Sequence, residues 1–420
     1  MSLVNPGEEL SLSGPVGEWR TVRDGRVRCG TLERLILNDF RSIATADLRF
    51  DKGPVLLLGP NGGGKTNILE AISLLAPGRG LRGAKLGDIT RRGSNRTTVG
   101  WAISAEITGS AGAVRIGTGL AHDSLGRERR LFKFEGEKAR PSDIAELVRL
   151  VWLVPSMDRL FEESVSGRRR FFDRLVAALD AAHATRLSRY ERALSERQRL
   201  LTDGAAEPAW LKGLEHIMAE AGVAIAAARL VTIDQLSRQI AAGGPWTEED
   251  LFPRAELLLA GDVETALAAR AAVLVEAEFE AALETGRERD AAAGRALQGP
   301  HRSDLKVRHI AKNMPAEDCS SGEQKALLLN ILLAHVQLIA ETASAPPLVL
   351  LDEVAAHLDA VRRQALFEAL ASAGSQVFMT GTDEAAFSAL KGAAQIFDVA
   401  DSQARERRPA SPSIKVDRTP

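Results

Sequence analysis

The feature that most constrains this 420-residue chain is a short apolar run that leads through a glycine-rich turn into a helical pattern. The run is GPVLLLG (53–59), the turn is GPNGGGKT (59–66) and the helical pattern is KTNILEAISLLA (65–76). Such an apolar run is typical of a strand buried in a parallel sheet. The turn fits G-x-x-x-x-G-K-[ST], whose glycines let backbone N–H groups face a phosphate. The segment therefore predicts an α/β domain with a phosphate loop at the end of a strand.

Each residue type in this loop suits one task in nucleotide chemistry. Lys65 is expected to reach the β- and γ-phosphates of ATP, and the Thr66 hydroxyl is expected to bind Mg²⁺. The strand LVLL ends in Asp352 and Glu353. Asp352 would hold Mg²⁺ mostly through water, and Glu353 could orient the attacking water or accept its proton. The predicted nucleotide-binding residues are Gly59, Pro60, Asn61, Gly62, Gly63, Gly64, Lys65, Thr66, Asn67 and Asp352, with Lys65 and Glu353 catalytic and Thr66 and Asp352 on the metal.

A second helix start that suits an anion lies about 250 residues later, in CSSGEQKALLLN (319–330). Ser320 and Glu323 have the spacing of a capping box, and so do Ser321 and Gln324. The segment could therefore be only a well-capped helix, or it could offer free N–H groups to a γ-phosphate, since both uses share one helix end. A second anion site so far along the chain is useful if it closes over the nucleotide of another copy.

The composition of the chain changes twice and predicts a divided domain. Residues 31–140 and 297–401 have strand-like runs, whereas 141–296 are rich in Ala, Leu, Arg and Glu with helical spacing. Two helices of over 30 residues are predicted within that block, over 168–201 and 208–241, as an antiparallel pair. We expect one head built from the outer segments, with 141–296 inserted as a helical lid. The polar ends 1–30 and 402–420 are expected to be disordered.

The order of these motifs resembles that of ATP-binding cassette ATPases: phosphate loop, helical insertion, SSGEQ, Asp-Glu strand and HLD (357–359). Longer stretches, among them residues 32–82, PSMDRLFEESVSGRRRFFDRLV (155–176) and GPHRSDLKV (299–307), resemble the RecF family of bacterial recombination-mediator ATPases. The resemblance spans roughly residues 31–385, which is nearly the whole expected fold.

The resemblance to the RecF family implies an ABC/SMC-like P-loop ATPase head with an inserted α-helical lid. ATP and Mg²⁺ would drive head-to-head dimerisation, and weak, DNA-dependent hydrolysis would release it. The substrate would be DNA at gapped or stalled replication sites, and RecR and RecO would be partners in loading RecA. Arg41 would contact the nucleotide, and Asp359 would belong to the D-loop at the dimer seam. The signature residues acting on the partner's nucleotide would be Ser321, Gly322, Glu323 and Gln324.

Two residues expected of the wider ATPase class are missing from their places. The glutamine between phosphate loop and signature is replaced by WLVPSMDRL (152–160), where Ser156 or Asp158 could act instead. The histidine that senses the γ-phosphate would fall in VFMTGTD (377–383), where Thr380 and Thr382 cannot carry charge. Both departures predict slow hydrolysis. An ATP-gated DNA clamp with little turnover and an SMC-like structural ATPase remain alternatives.

A cationic surface is predicted in the first half of the chain. Residues 79–140 hold 13 Lys or Arg against 6 Asp or Glu, although the whole chain has a net charge of −2. DNA affinity depends on clustered cations that meet phosphates, so this segment could bind DNA, or its charge could serve solubility. The run 168–170 could bind DNA as well, or pair with Glu162 and Glu163. The DNA-binding candidates are Arg91, Arg92, Arg96, Arg129, Arg130, Arg168 and Arg169.

The remaining bulk properties argue against several other classes of protein. Two cysteines without a CxxC motif make zinc ligation and a disulfide framework improbable, and they suit a reducing cytoplasm. No basic segment followed by an apolar one marks the N-terminus, and the apolar runs are expected to be too short to span a bilayer. We therefore expect a cytoplasmic protein without a membrane partner.

Overall fold

Three β-sheets and a group of helices make up the part of the chain that the computed structural model describes. Two sheets have six strands each and one has three. One hydrophobic core runs through both large sheets, and a second core lies among the helices. The predicted α/β head with a helical lid is therefore confirmed. The described residues are 29–92, 100–109, 112–204, 207–244, 246, 251–343, 345–354 and 358–407.

The first six-stranded sheet is antiparallel, with strands β1 (Cys29–Phe40), β2 (Ile43–Arg49), β4 (Ala102–Gly109), β5 (Gly112–His122), β6 (Glu128–Phe134) and β7 (Glu137–Ala139). Their order is β2-β1-β4-β5-β6-β7. Every second side chain faces the core, as Leu35 and Leu37 do in β1. This alternation is what the apolar and polar pattern of the segment predicts.

The second six-stranded sheet carries the phosphate loop, with strands β3 (Val55–Leu58), β8 (Leu150–Leu153), β12 (Leu348–Leu351), β13 (Val377–Gly381), β14 (Gln395–Ala400) and β15 (Gln403–Glu406). The order is β15-β14-β3-β13-β12-β8, and all neighbours except β14 and β15 are parallel. Because parallel strands end at one edge, the residues after β3, β12 and β13 lie close together. The helices of the head are α1 (Lys65–Ser73), α2 (Pro141–Leu147), α9 (Ser321–Thr342) and α10 (Ala360–Ser372).

The lid consists of α3 (Val165–Leu179), α4 (His183–Asp203), α5 (Pro208–Ala242), α6 (Asp262–Ala269), α7 (Ala272–Thr285) and α8 (Arg287–Ala293). A three-stranded sheet of β9 (Ala255–Ala260), β10 (Asp304–His309) and β11 (Met314–Pro315) adjoins them. The ion pairs Arg189–Glu220 and Arg197–Glu215 join α4 to α5 in antiparallel order, as predicted.

The prediction of one helix over residues 168–201 is wrong, since the chain breaks between α3 and α4. Asp180 ends α3, and its carboxylate accepts the N–H of Ala182 at 2.9 Å. The same carboxylate pairs with Arg186 in the first turn of α4. A short acidic side chain that bonds the next turn competes with helix continuation.

Several segment boundaries also differ from those predicted from composition. Strand β8 (150–153) pairs with β12 and belongs to the head, so the helical insertion begins after it. Strand β9 (255–260) lies inside the segment predicted to be helical. Strand β15 (403–406) lies inside the predicted C-terminal tail, and β1 begins at Cys29, within the predicted N-terminal one. Strands of four to six residues are too short to change the composition of a long window.

Helices α5 and α9 are long and apolar enough to cross a membrane by length and composition. The prediction that the apolar runs are too short for this is therefore wrong. In α9, 78 % of the most apolar window is buried inside the protein, and in α5 the share is 50 %. The apolar surface of α9 thus packs into the core of the head.

Candidate nucleotide site

The phosphate loop joins β3 to α1, and its glycines adopt backbone conformations that other residues avoid. Gly59, Gly62 and Gly64 have φ values of 155°, 79° and 110°. A Cβ on Gly59 would lie 2.0 Å from the carbonyl oxygen of Val399, and one on Gly63 would lie 2.7 Å from the same oxygen. The glycines therefore turn the backbone and also let β14 pack against the loop. Pro60, Asn61 and Gly62 form its exposed tip.

The ammonium group of Lys65 lies inside the loop. Its Nζ donates to the carbonyl oxygens of Gly59 at 2.7 Å and Pro60 at 2.9 Å, and the residue is 4 % exposed. Burial lowers the pKa of Lys65, and the carboxylates of Glu353 and Asp352 oppose that shift. A triphosphate would bring further oxygen acceptors and negative charge to this group, which favours its charged form.

Thr66 and Asp352 meet across the edge of the parallel sheet, as predicted. The Thr66 hydroxyl lies 3.1 Å from each carboxylate oxygen of Asp352. A hydroxyl beside a carboxylate is the oxygen donor set that suits Mg²⁺ held between protein and phosphates. No group of three or more His, Cys, Asp or Glu suited to a metal occurs among the described residues. A cation here would therefore depend on phosphate and water for its other ligands, as the loop chemistry expects.

Glu353 directly follows β12 in a strained backbone conformation. Its φ is 54°, in the left-handed region, which costs a residue with a side chain on the order of 1–3 kcal/mol. The N–H of Glu353 donates to the Thr380 hydroxyl at 2.9 Å. Thr380 is buried in β13, whereas Thr382 is exposed just beyond the end of that strand. Of the two threonines considered for the missing histidine, Thr380 therefore contacts the acidic pair.

Arg41, expected to contact the nucleotide, lies beside the loop and holds a buried carboxylate. Its Nε and Nη2 donate to Glu70 at 2.8 and 2.5 Å. Arg82 donates to the same carboxylate at 2.9 Å and to the Asn67 side chain at 2.7 Å. Sequence reasoning did not select Arg82 or Glu70, although Arg82 ends the GRGLR segment on which the family resemblance partly depends.

The turn between β14 and β15 braces the phosphate loop from the C-terminal end of the head. The N–H of Ser402 donates to the carbonyl oxygen of Gly63 at 3.0 Å, and its hydroxyl lies 2.5 Å from that of Ser42. Asn67 donates to the Ser42 hydroxyl at 2.8 Å. The sequence carried no signal for this contact, because the turn lies in residues that were predicted to be a tail.

The second helix start leaves part of the signature open. Ser320 caps α9 through a capping box with Glu323, which also pairs with Lys312. Lys312 and the Ser320 contacts lower the pKa of Glu323 to about 2. Gln324 is buried and donates to the carbonyl oxygen of Cys319 at 3.0 Å. Both Glu323 and Gln324 thus contact their own subunit and not the surface where a partner would lie, while Ser321 and Gly322 are exposed.

The segment that lacks the expected glutamine still contacts the signature helix. Asp158 pairs with Lys325 of α9 at 3.2 Å, and Glu162 accepts from Gln324 at 3.2 Å. Ser156 is exposed. Asp158 is thus the candidate that is tied to the start of α9.

The predicted D-loop residue Asp359 caps α10, because its carboxylate accepts the N–H of Arg362 at 2.8 Å. It is exposed. His357, quoted with it in the HLD motif, lies outside the described residues.

An open cavity of about 690 Å³ adjoins the phosphate loop. Its lining residues are mostly polar or cationic and come from the β1–β2 turn, α1 and the segment before β4. They are Arg41, Ser42, Asn67, Ala84, Asp88, Thr90, Arg91 and Arg92. The volume lies within the range of small-molecule sites.

Three of the predicted DNA-binding arginines are bound inside the protein. Arg130 donates to the main-chain carbonyls of Leu74, Ala76 and Gly78, and burial lowers its pKa to about 9. Arg168 forms two bonds of 2.8 Å with the Asp304 carboxylate. The prediction that Arg130 and Arg168 face DNA is therefore wrong, as is the alternative pairing of Arg168 with the Glu162 and Glu163 side chains.

The other cationic candidates differ in how much charge they expose. Arg169 is partly buried and donates to the carbonyl oxygen of Ser303 at 3.1 Å. Arg91 pairs with Asp39 at 3.0 Å. Arg92 and Arg129 are exposed. Arg96 lies outside the described residues.

Comparison with known proteins places this site in a family. The model of the RecF/RecN/SMC N terminal domain matches residues 31–405. A relative from Mesorhizobium japonicum named "DNA replication and repair protein RecF" is 48 % identical over 369 residues, 88 % of this chain and 96 % of the relative. A relative of the same name from Agrobacterium fabrum is 50 % identical over 372 residues, with coverage of 88 % and 96 %.

A solved structure supports the same assignment at the level of the fold. It is described as the recombination mediator protein RecF with ATPrS in the RecFOR pathway, and it matches with a TM-score of 0.77. The sequence identity is 22 %, and the match covers 91 % of this chain and 100 % of that chain. The family model and the named relatives together show that this chain belongs to the RecF family.

Proposed function

We propose that this chain is a DNA-binding ATPase of replication and repair, whose two copies close head to head on ATP and separate after hydrolysis. The phosphate loop and Asn67 would hold the phosphates, with Lys65 on the β- and γ-phosphates, and Arg41 would contact the nucleotide. Thr66 and Asp352 would hold Mg²⁺, which neutralises phosphate charge during phosphoryl transfer. Glu353 would orient and deprotonate the attacking water. The open cavity beside Asn67 has room for the nucleoside.

The exposed start of α9 is the observation that carries the dimer. Within the described part of the chain, the N–H groups of Ser321 and Gly322 have no hydrogen-bond partner in their own subunit, whereas those of Glu323 and Gln324 do. An open helix start attracts anions because of its unpaired N–H groups and the helix dipole. The γ-phosphate bound by another copy would supply such an anion. Asp359 stands at the start of the next exposed helix, where it would meet the same seam.

Mixing two inactive proteins tests whether the site is shared between copies. Lys65→Met removes the phosphate-binding ammonium, and Ser321→Arg blocks the signature, so each protein alone should lack activity. A mixed dimer has one intact site, made from the unaltered phosphate loop of one copy and the unaltered signature of the other. Because about half of randomly formed two-fold dimers are mixed, about a quarter of wild-type ATP hydrolysis should return.

The matched control for this mixture is Lys65→Met with Asp352→Asn. Both substitutions lie in the same half of the composite site, so every dimer keeps two defective phosphate-loop halves and activity should stay absent. Equal recovery in the two mixtures, or an active Ser321→Arg protein by itself, would contradict the shared site.

DNA binding is proposed for the cationic surface around Arg92 and Arg129. Phosphate contacts dominate DNA affinity, and each one lost should lower the slope of log K against log salt by about 0.9. The Arg92→Ser/Arg129→Ser protein should therefore bind gapped duplex more weakly, with a slope reduced by roughly 2. Fluorescence anisotropy with and without ATP, on gapped, blunt and single-stranded DNA, measures both quantities. Arg270→Ser, a change in the lid at an arginine paired with Glu278, is the control.

The cellular role proposed here follows that of the named relatives. The protein would act in the cytoplasm with RecR and RecO at gapped or stalled replication sites, where it would promote RecA loading. An assay of RecA assembly on gapped DNA, with these partners added singly and together, tests this role. If unchanged RecA assembly accompanied tight DNA binding, the ATP-gated clamp would be the better account.

The clamp alternative is favoured by one observation, the threonines at the end of β13. Neither Thr380 nor Thr382 can provide the positive charge that a histidine brings to a γ-phosphate. The other alternative, an SMC-like structural ATPase, would need a far longer coiled coil than α5, whose 35 residues reach roughly 50 Å.

A further inference from the structure

Thr380 occupies a central place in the head, although it was considered in the sequence only as a substitute for a missing histidine. Strand β13 lies between β3, which carries the phosphate loop, and β12, which carries the acidic pair. Thr380 is 1 % exposed, so its hydroxyl must find partners within the protein.

The hydroxyl of Thr380 joins the two acidic residues of the site. It donates to a carboxylate oxygen of Asp352 at 2.7 Å and accepts the main-chain N–H of Glu353 at 2.9 Å. A hydroxyl has one proton, and a carboxylate can only accept, so these roles are settled by chemistry. One side chain therefore restrains both the proposed metal-binding carboxylate and the backbone from which the proposed base projects.

The contact with Glu353 bears on a backbone conformation that needs support. The φ of 54° at Glu353 is unusual for a residue with a side chain, and its N–H has no other hydrogen bond within the described residues. The contact with Asp352 leaves the carboxylate's other oxygen to Thr66, at 3.1 Å. Loss of the hydroxyl would free both acidic residues to move relative to the phosphate loop.

We propose that Thr380 is a positioning residue for magnesium-dependent ATP hydrolysis, holding Asp352 towards the cation and Glu353 towards the attacking water. The inference rests on the proposed ATPase function. Thr380 touches neither nucleotide nor cation and acts through its two neighbours. The same position therefore sets how strongly the site depends on Mg²⁺ and how fast it turns over, without setting how ATP itself is bound.

Thr380→Val keeps the shape of the side chain and removes its hydroxyl, so it separates positioning from packing. We expect ATP affinity in the absence of Mg²⁺ to change less than about twofold, because Lys65 and the loop are intact. The Mg²⁺ concentration for half-maximal hydrolysis should rise, and kcat should fall, each by about 10–100-fold, as is typical for residues behind a metal ligand. Thr380→Ser, which keeps the hydroxyl, should restore both to near wild type.

Thr118→Val is the matched control for the loss of a buried threonine hydroxyl. Thr118 donates to the carbonyl oxygen of Leu131 at 2.9 Å and accepts from Arg130 at 2.8 Å, so it too makes one bond of each kind. It is buried in β5, in the other large sheet. Both valine proteins should lose similar thermal stability, but only Thr380→Val should change the Mg²⁺ dependence.

The outcomes distinguish this inference from the proposed function. A Thr380→Val protein with wild-type kcat and Mg²⁺ dependence overturns the positioning role, and so does a Thr380→Ser protein as impaired as the valine form. If the wild-type protein itself showed no turnover, the proposed hydrolysis would fall. The effect of Mg²⁺ on ATP affinity, measured by calorimetry in both proteins, would then decide the role of Thr380 towards Asp352.

Discussion

Glu353→Gln should bind ATP and dimerise normally but hydrolyse ATP at least about 100-fold more slowly, because removal of a general base typically costs 10²–10⁴ in rate. Glutamine has nearly the size of glutamate and can still hydrogen-bond water, but it cannot accept the proton. The ATP-bound dimer should therefore persist, because the proposed release step is hydrolysis. Single-turnover hydrolysis and sedimentation after removal of free ATP measure the two effects separately.

Glu288→Gln is the control for this substitution, since it removes the same charge from an exposed position on α8 in the lid. It should leave both the hydrolysis rate and the dimer lifetime unchanged. A Glu353→Gln dimer that separates as fast as the wild type would argue against hydrolysis as the release step and for the clamp. Hydrolysis in the wild type as fast as in transporter ATPases would contradict the slow turnover predicted from the missing histidine and glutamine.

Arg229→Met should lower the free energy of unfolding by about 3–5 kcal/mol, the usual cost of breaking a buried ion pair on one side. Arg229 is 1 % exposed. It makes two bonds of 2.9 Å to Asp173, one of 3.0 Å to Glu264 and one of 2.7 Å to the carbonyl oxygen of Pro300. Methionine fills much of the volume but leaves two buried carboxylates without their cation. Urea denaturation followed by circular dichroism measures the change.

The control is Arg238→Met, in the same helix α5. Arg238 is exposed, pairs with Asp234 one turn away, and should contribute no more than about 0.5 kcal/mol. Equal losses in the two proteins would show that the buried cluster is not stabilised by its charges. Although burial opposes the shift, His183 and Arg229 lower the pKa of Asp173. This part of the stability should be present above the unfolded-state pKa of an aspartate and should be lost as the pH falls.

Local patterns in the sequence were enough to predict the elements that carry the chemistry. An apolar run followed by glycines and Lys-Thr can form few structures other than a strand, a phosphate loop and a helix, and Asp352 and Glu353 follow a strand whose burial is evident from its composition. The start of α9 was predicted from its capping residues, and the structure added that Glu323 and Gln324 are used within their own subunit.

Predictions about surfaces and boundaries were weaker, because they depend on which distant segments meet. Arg130 and Arg168 belong to cationic runs, yet their charges are held by main-chain carbonyls and by Asp304, far away in sequence. Residues 403–406 are polar and carry no strand pattern, yet they pair with β14 at the edge of the sheet. The break at Asp180 depended on one side chain that prefers the next turn to the helix.

The sequence by itself determined that this protein has a phosphate loop, an acidic strand end and a second anion-ready helix start, because each depends on neighbours within a few residues. Only the tertiary structure decided that Thr380 links the acidic pair, that Ser402 braces the loop and that Arg168 is withdrawn from the surface. Those contacts join residues between 27 and 339 positions apart. They exist because strand order and sheet packing bring such residues together, and no local propensity encodes that order.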